Sequence, residues 1–263
     1  MKIKFASVIT PVFNEEKNIE NLVKEVNLKF KELNLQYEHI IIDNISNDNT
    51  EQIIINLISK NKYPIKFIKN NINNGPDYSS WIGTINATGD FVIPLVADFQ
   101  DPIKLIPEMI KIYNDNDGID SILCVYKNNP LQSMRYFIGF IYYLLLKLIS
   151  THKTYFGFHG YCGFNAQVLD KIKKSEFRYY YYRGLILNNI KKTYLLSFIR
   201  EERRHGNSSY NYLKLLRQSI VGINFSNKYF FLLVFFPFFI IFDSINIFFV
   251  LILLYILSIY KSE

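Results

Sequence analysis

The sequence predicts an α/β protein in which a mostly parallel sheet is covered by helices. Three features of the 263-residue chain indicate this class. Short apolar runs of strand length alternate with amphipathic segments of helical periodicity. Polar loops follow the apolar runs, at the place where open α/β sheets bind their ligands. A long apolar stretch near the C-terminus predicts additional helices that associate with a membrane.

The first part of the chain repeats a strand, a polar loop and a helix. Strands are predicted at residues 4–10, 37–42 and 65–68. Each is followed by polar residues and then by apolar residues at helical spacing, around residues 20–30, 53–58 and 78–87. Because strands that alternate with helices are joined by crossovers, this order predicts parallel pairing.

The most informative stretch is a buried strand that ends in an acidic loop. Residues 91–96 form a short apolar run of the kind found in the middle of a parallel sheet. Asp98, Gln100 and Asp101 cluster at its carboxyl end. Such an oxygen-rich loop suits a hard divalent cation that carries a phosphate. The same acids are also expected as caps of a helix at residues 103–113, so residue types alone leave both interpretations open.

The second half of the chain is less regular. A strand is predicted at residues 121–126, followed by a mostly apolar helix that is either a core helix or an interfacial helix at residues 131–150. Residues 158–164 contain three glycines and are expected to line a site or to form a tight turn. The basic cluster at residues 200–205 precedes a glycine loop, which suits a mobile phosphate clamp or, equally, a solvated charged surface.

Residues 228–260 are predicted to enter the membrane. Two apolar pieces, separated by Asp243 and Ser244, span roughly 21 and 24 Å as helices. A central Asp costs roughly 2.5–3.5 kcal/mol on insertion scales, whereas each large apolar residue returns about 0.3–0.6 kcal/mol. The apolar residues outnumber Asp243, so association with the bilayer is predicted. One tilted helix, an interfacial piece followed by a span, and a hairpin all stay open.

The composition of the chain limits the classes of molecule that it is expected to bind. The net charge is +7, but the chain contains no Lys/Arg-rich run of the nucleic-acid type, which favours a membrane and a phosphorylated substrate over nucleic acid. Two cysteines and four histidines show no metal-ligand spacing, so neither a disulfide framework nor a zinc site is expected. The chain enters a strand directly after Met1, so no signal peptide is expected and the catalytic domain is predicted in the cytoplasm.

Six motifs occur in an informative order and spacing. They are residues 10–16 (T-P-V-F-N-E-E), 42–50 (I-D-N-I-S-N-D-N-T), 73–75 (N-N-G), 87–102 (from A-T-G-D to V-A-D-F-Q-D-P), 182–185 (Y-R-G-L) and 200–210 (R-E-E-R-R-H-G-N-S-S-Y). Together they resemble the family 2 glycosyltransferases of GT-A fold, in the branch that transfers sugars to dolichyl or undecaprenyl phosphate. The resemblance implies a Rossmann-like, mostly parallel sheet covered by helices. It also implies a catalytic domain at residues 1–226, followed by a membrane-embedded helical segment at 228–260.

The resemblance also implies roles for single residues. The loop after the first strand and Asp43 would hold the base and ribose of a nucleotide, and Asp98 with Gln100 would coordinate Mg²⁺ or Mn²⁺ on its diphosphate. The basic cluster would grip the diphosphate or a lipid phosphate. The implied substrate-binding residues are Pro11, Phe13, Asn14, Glu15, Asp43, Gly75, Ala97, Arg183, Arg200, Arg204 and Ser208. The catalytic residues that we predict are Asp98, Asp101, His159 and Arg203.

Two residues depart from the family pattern. Val96 stands where the family has the first Asp of its D-x-D motif, and Asn44 stands where it has a second Asp after the second strand. The remaining donors are Asp98, Gln100 and Asp101, with water and diphosphate oxygens. This set is workable, since Mg²⁺ is commonly held by one or two carboxylates and phosphates. We therefore interpret Val96 as the trait of a bacterial subgroup.

The predicted function is an inverting transfer of a sugar from a UDP- or GDP-linked donor to polyprenyl phosphate. It is expected at the cytoplasmic membrane face, in the synthesis of cell-surface polysaccharide. A polyprenyl phosphate is already an anionic nucleophile and needs no base. The alternative acceptor is a hydroxyl of a lipid-linked saccharide, for which Asp101 or His159 would be the base; His159 is also interpreted as a packing residue.

A second alternative is a non-catalytic nucleotide-binding partner in a membrane complex, which Val96 and Asn44 motivate. Association of the chain with further copies of itself, as a homo-oligomer, is also left open by the sequence.

Overall fold

The computed structural model describes residues 2–127, 134–150, 153–175, 181–199, 204 and 212–226. The predicted membrane segment 228–260 lies outside these residues, as do the predicted site residues Arg200, Arg203 and Ser208. The described residues belong to two compact units. The first comprises those within Met1–Asn128, Gly157–Ser175 and Asn189–Asn207, and the second those within Asn129–Phe156, Glu176–Asn188 and Ser208–Glu263. The expected catalytic domain at residues 1–226 stays a prediction.

The first unit is built on a seven-stranded sheet. Its strands are β1 (Phe5–Val12), β2 (Gln36–Asp43), β3 (Ile65–Lys69), β4 (Phe91–Pro94), β5 (Ser121–Tyr126), β6 (Phe158–Asn165) and β7 (Thr193–Phe198). They lie in the order β3-β2-β1-β4-β6-β5-β7. The pairs β3–β2, β2–β1, β1–β4 and β5–β7 are parallel, whereas β6 is antiparallel to both β4 and β5. The prediction of an α/β fold with a mostly parallel sheet is confirmed.

The helices of the described residues are α1 (Ile19–Glu32), α2 (Thr50–Ser59), α3 (Pro76–Ile85), α4 (Ile106–Asp115), α5 (Met134–Ile149), α6 (Ala166–Lys174), α7 (Tyr182–Asn189) and α8 (Tyr212–Ser226). Of these, α1, α2, α3, α4 and α6 belong to the same unit as the sheet. On α1, Leu22, Val26 and Phe30 recur at helical spacing and lie in one buried core cluster with β1 and β2. Burial of a side chain such as Phe30 stabilises the fold by about 1.5–3 kcal/mol. Helix α3 packs on the opposite face, where Gly83 contacts Ile9.

The sequence missed β6 as a strand. Its residues 158–164 were expected to line a site or a tight turn, because glycine is unfavourable in a strand interior. The structure explains Gly163 by a close approach, since a Cβ atom there would collide with the buried ring of Phe91 on β4. Strand β4 also ends at Pro94, two residues earlier than predicted. Proline has no N–H group to extend the ladder.

At the end of the sheet where β1 to β4 begin, which we call the amino edge, carboxylates join neighbouring strands. Asp90 directly precedes β4, and its Oδ2 accepts hydrogen bonds from the backbone N–H groups of Lys4 (3.1 Å) and Phe5 (3.0 Å). Glu38 on β2 accepts bonds from the N–H (2.7 Å) and the hydroxyl (2.8 Å) of Thr88. Both acids therefore hold the fold at this edge.

The second unit contains α5, α8 and most of α7. The rings of Tyr181 and Phe225 lie 5.5 Å apart, and α5 contacts α8. Three apolar side chains on α5 are exposed: Ile141 (50%), Leu144 (47%) and Leu148 (84%). Their spacing of three and four residues places them on one face of the helix. Within the described ranges, no helix is long and apolar enough to cross a membrane.

Candidate active site

The candidate site lies at the carboxyl edge, where β3, β2, β1 and β4 end. Because these four strands are parallel, the loops that follow them meet at one edge of the sheet. The chain passes from β1 to β2 on one side and later returns to β4 on the other. Strand order therefore reverses between β1 and β4, which creates a crevice of the kind that binds ligands in open α/β sheets.

Backbone strain marks the three loops around this crevice. Asn14, Ile45 and Phe99 have positive φ angles of 58°, 62° and 63°, and they follow β1, β2 and β4 respectively. A non-glycine residue in this conformation costs of order 1–3 kcal/mol, and such residues cluster at functional sites. The other described non-glycine residues with positive φ, Asn34 and Asn61, directly follow helices, where asparagine is an ordinary terminator.

Side-chain hydrogen bonds join the loops after β1 and β2. The N–H of Asn14 donates to the hydroxyl of Ser46 (3.0 Å), and the N–H of Asn47 donates to Oδ1 of Asn14 (2.8 Å). The N–H of Glu15 donates to the hydroxyl of Thr50 (2.8 Å). These bonds hold the first two strained loops in one arrangement.

Asp43 shapes the second loop from below. It is fully buried at the end of β2, and its Oδ1 accepts bonds from the hydroxyl (2.5 Å) and the N–H (3.2 Å) of Ser46. Near it, Pro11 is half-buried on β1, and Phe13 exposes 37% of its surface beside the crevice. An exposed aromatic ring at this position can stack on a planar base. The nucleotide contacts implied for Pro11, Phe13 and Asp43 stay predictions.

Asn44, which departs from the family pattern, links two loops through its amide. Oδ1 of Asn73 accepts a bond from the N–H of Gly75 (3.1 Å). Because an amide oxygen is only an acceptor, any second partner of this atom must be a hydrogen-bond donor. Nδ2 of Asn44 supplies that donor at 2.7 Å, and Oδ1 of Asn44 accepts from Nδ2 of Asn70 at 3.2 Å. A carboxylate at position 44 could not donate to Asn73. Asn44 therefore has a structural explanation, and Gly75 lies in the same network at the start of α3.

The acidic loop after β4 is largely buried. Asp98 and Asp101 each expose 7% of their surface, and Oδ1 of Asp98 accepts a bond from the N–H of Gln100 (3.0 Å). Ala97 is buried and Val96 is half-buried beside them. Among the described residues, no group of three or more His, Cys, Asp or Glu side chains could hold a metal ion. This sparse donor set fits Mg²⁺ or Mn²⁺ when a diphosphate supplies most of the oxygen ligands.

Arg204 contacts this loop in two ways and also binds helix α1. Its N–H donates to the carbonyl oxygen of Asp98 (3.3 Å), and its guanidinium carbon lies 3.8 Å from the centroid of the Phe99 ring. Its Nη1 donates to Oε1 of Glu25 on α1 at 2.6 Å. The sequence implied a substrate contact for Arg204, which stays a prediction, but it revealed neither Glu25 nor Phe99.

The remaining predicted residues lie in different places. His159 is exposed near the start of β6, and its ring stacks on Tyr126 at 4.6 Å with an interplanar angle of 10°. Because β6 is antiparallel to β4, its start lies at the carboxyl edge. Arg183 belongs to the second unit, where its guanidinium lies 5.4 Å from the ring centroid of Tyr181.

Another histidine, His39, is fully buried on β2. Its Nε2 lies 2.9 Å from the hydroxyl of Thr10, whereas its buried Nδ1 has no hydrogen-bond partner among the described residues. Burial lowers the pKa of His39 to about 3, because the charged imidazolium would lose its hydration. His39 is therefore neutral at physiological pH, and its surroundings assign it to the core.

Comparisons with known proteins agree with the motifs and the geometry. A model of the family described as "Glycosyl transferase family 2" matches residues 7–173. The chain is 29% identical over 221 residues to a prophage bactoprenol glucosyl transferase homolog of Escherichia coli K12. It is 30% identical over 221 residues to a bactoprenol glucosyl transferase of Shigella phage SfX. Each match covers 82% of this chain and 70% of the relative.

A solved structure has a similar fold. It is glucosyl-3-phosphoglycerate synthase from Mycobacterium tuberculosis in complex with Mn²⁺, UDP and phosphoglyceric acid. The TM-score is 0.61 at 16% identity, and the match covers 84% of this chain and 77% of that one. The same enzyme has also been solved with Mg²⁺ and UDP. At this identity the likeness shows the fold, which confirms the expected GT-A-like architecture for the α/β part of the chain.

Proposed function

We propose that this chain, which belongs to glycosyl transferase family 2, transfers a sugar from UDP to polyprenyl phosphate at the cytoplasmic face of a membrane. Membership of this family makes the chain a glycosyltransferase. The nucleotide of the donor, the identity of the acceptor and the location at the membrane are what we propose. One observation carries it: three strained loops converge at the carboxyl edge around the buried carboxylates of Asp43 and Asp98. The named activity of the bactoprenol relatives supports the acceptor.

The donor nucleotide would bind to the loops after β1 and β2. In this proposal the ring of Phe13 stacks on the base, and the loop around Asn14 and Glu15 surrounds the ribose. Asp43 holds that loop in place through Ser46, and the contact between Asp43 and the nucleotide that the sequence implied is part of this proposal. We favour UDP over GDP because the structurally similar synthase was solved with UDP.

The diphosphate would lie beside Asp98. We assign Asp98 and Gln100 as the protein ligands of Mg²⁺ or Mn²⁺, which would neutralise the charge that develops on the departing diphosphate. Asp101 and the backbone of Ala97 would shape the same pocket. The predicted basic residues Arg200 and Arg203 would add donors to the diphosphate or to the acceptor phosphate. The substrate contacts implied for Arg183 and Ser208 stay predictions.

The reaction needs no protein base when the acceptor is a phosphate. An oxygen of polyprenyl phosphate attacks the anomeric carbon of the sugar from the face opposite the nucleotide. A new bond joins that oxygen to the carbon as the bond to the β-phosphate oxygen of UDP breaks, so the configuration inverts and UDP leaves with the bonding electrons. The site contributes by orienting donor and acceptor in line and by excluding water, which would compete as an acceptor.

The acceptor requires access to a membrane. The predicted segment 228–260 would embed in the bilayer, and the exposed face of α5 formed by Ile141, Leu144 and Leu148 would lie against the lipid surface. Lys147, which is exposed on the same helix, can pair with anionic headgroups. Both features favour an acceptor that is presented at the membrane surface.

A hydroxyl of a lipid-linked saccharide is the second candidate acceptor. The position of His159 favours it, since an exposed imidazole at the carboxyl edge could accept the proton of a hydroxyl nucleophile. In this version His159→Ala would strongly reduce turnover, whereas transfer to a phosphate would tolerate the change.

The acceptor assay tests the proposal. Membranes that contain the full chain are incubated with UDP-sugars, Mn²⁺ or Mg²⁺, and either polyprenyl phosphate or a lipid-linked saccharide. We expect a lipid-linked monosaccharide with polyprenyl phosphate, and its loss when the metal is chelated. A product formed only with the saccharide would transfer the proposal to the second candidate, and nucleotide binding without any turnover would support the non-catalytic alternative.

A further inference from the structure

We infer that Arg204 and Glu25 form a positioning pair that holds the Asp98 loop in its binding conformation through the ring of Phe99. This inference rests on the proposed function, because it concerns how Asp98 is held for the metal and the nucleotide. It assigns Arg204 a role different from the substrate contact that the sequence implied. It also introduces Glu25, which none of the sequence motifs contains.

The first support is the conformation of Phe99. It lies between the two proposed metal ligands, Asp98 and Gln100, and has a φ angle of 63°. A bulky aromatic residue adopts this left-handed conformation only where its surroundings enforce it. The direction of the Asp98 carboxylate therefore depends on whatever holds Phe99.

The second support is that Phe99 is held from two sides. Phe99 exposes only 3% of its surface, and it belongs to the core cluster that includes residues of α1 and α4. On the other side, the guanidinium of Arg204 lies 3.8 Å from the ring centroid, well within the range of a cation–π contact. The guanidinium of Arg204 therefore covers one face of the ring.

The third support is the way in which Arg204 is itself held. Its Nη1 bonds to Glu25 on α1 at 2.6 Å, and its N–H bonds to the carbonyl oxygen of Asp98 at 3.3 Å. The side chains of Arg204 and Glu25 remain 46% and 40% exposed, so the ion pair alone contributes little in water. Its main effect is geometric, since it orients the planar guanidinium over the ring.

These contacts join three distant parts of the chain. Glu25 and Arg204 are separated by 179 positions, and the acidic loop lies between them in sequence. With the guanidinium directed at Glu25 and Phe99, Arg204 acts on the ligand through the loop. Loss of either partner should allow Phe99 to leave its strained conformation, which would turn the Asp98 carboxylate away from the metal position.

The test compares variants of the full chain in detergent by calorimetric titration with UDP, in the presence and absence of Mn²⁺. Arg204→Ala should weaken Mn²⁺-dependent UDP binding about tenfold, since it removes both the cation–π contact and the ion pair. Glu25→Ala should weaken it about two- to fivefold, and the double variant should be no weaker than Arg204→Ala alone. The UDP affinity of Arg204→Lys should lie between those of the parent and Arg204→Ala, because lysine keeps the charge and lacks the planar stack.

Glu32→Ala is the matched control, since Glu32 lies on the same helix and forms an exposed pair with Lys29 at 2.7 Å away from the loop. It should bind like the parent. UDP binding without metal should be the same in all variants. If Arg204→Ala weakens metal-free binding while Glu25→Ala has no effect, Arg204 contacts the nucleotide directly and the inference is overturned.

The result also separates this inference from the proposed function. A parent protein whose UDP binding ignores Mn²⁺ would remove the assignment of Asp98 and Gln100 as metal ligands. A parent with clear Mn²⁺ dependence, combined with Arg204 and Glu25 variants that match the control, would keep that assignment and overturn only the positioning pair.

Discussion

The two edges of the sheet use the same residue types for different purposes. At the amino edge, Asp90 and Glu38 accept hydrogen bonds from backbone and hydroxyl groups of neighbouring strands. At the carboxyl edge, Asp98 lies beside the strained Phe99, and Asp43 supports the loop that contains the strained Ile45. A fold tolerates strain where function requires a special geometry. The difference therefore supports our proposal that the first edge stabilises the fold and the second binds the substrate.

The largest effect is expected at the carboxyl edge. Asp98→Ala should reduce turnover by about 10²–10³-fold, the usual loss when a group that stabilises the transition-state charge is removed. The free energy of unfolding should change much less, because the fold does not depend on this carboxylate to join strands. Product formation and thermal unfolding, measured on the same preparation, check this separation. A loss of stability in Asp98→Ala as large as that expected for Asp90→Ala would instead mean that Asp98 is a structural residue.

The opposite pattern is expected at the amino edge. Asp90→Ala removes a carboxylate that accepts two backbone N–H groups, and it should destabilise the fold by about 1.5–3 kcal/mol. Turnover per folded molecule should equal that of the parent at temperatures well below unfolding. Denaturant titration combined with initial rates tests this. Asp90→Asn is the matched variant, since both bonds go to one oxygen of Asp90, and the amide oxygen of asparagine can accept them without the negative charge.

Between pH 3 and 6.5, the stability of the fold should depend on the protonation of His39, which lies in the core on β2. The pKa of His39 is about 3 in the folded protein and about 6.5 in the unfolded chain, so the unfolded state binds the proton first. Its contribution to stability is therefore complete above pH 6.5. It falls by up to about 1.4 kcal/mol per pH unit as the pH drops from 6.5 towards 3. Denaturant midpoints across this range should show the slope, and His39→Gln should flatten it.

A smaller effect is expected from restoring the acid of the family pattern. Asn44→Asp should destabilise the fold by about 1–2 kcal/mol, because an aspartate cannot donate to Oδ1 of Asn73. We expect no gain in metal-dependent turnover, since the amide at position 44 links two loops. Metal titrations of the variant and the parent test this. A clear gain in activity would mean that Asn44 is a lost ligand.

Sequence patterns predicted the part of the fold that follows simple periodicity. Strands β1 to β5 and helices α1 to α4 were expected within a few residues, because each apolar run is followed by a polar loop and an amphipathic segment. The strand β6 escaped prediction because Gly163 is favourable only next to the ring of Phe91, which is a tertiary contact. Strand β7 carries exposed apolar residues at positions 194 and 195, so it lacks the alternation of a half-buried strand.

The same distinction applies to the candidate site. The positions of Asp43 and Asp98 followed from their place at the ends of strands, and the motifs supplied their roles. The pair formed by Glu25 and Arg204 was beyond reach, since nothing in the sequence relates two residues 179 positions apart. The backbone strain at Phe99 was equally hidden, because residue type does not determine φ in a loop.

The central claim is that the carboxyl edge binds the metal and the nucleotide, whereas the amino edge holds the fold. Its most direct test is calorimetric binding of UDP, with and without Mn²⁺, to the parent, Asp98→Ala and Asp90→Ala proteins. We expect Mn²⁺ to strengthen binding in the parent and in folded Asp90→Ala, and to have no effect in Asp98→Ala. Mn²⁺-dependent binding that survives in Asp98→Ala, or that disappears in folded Asp90→Ala, would contradict the account.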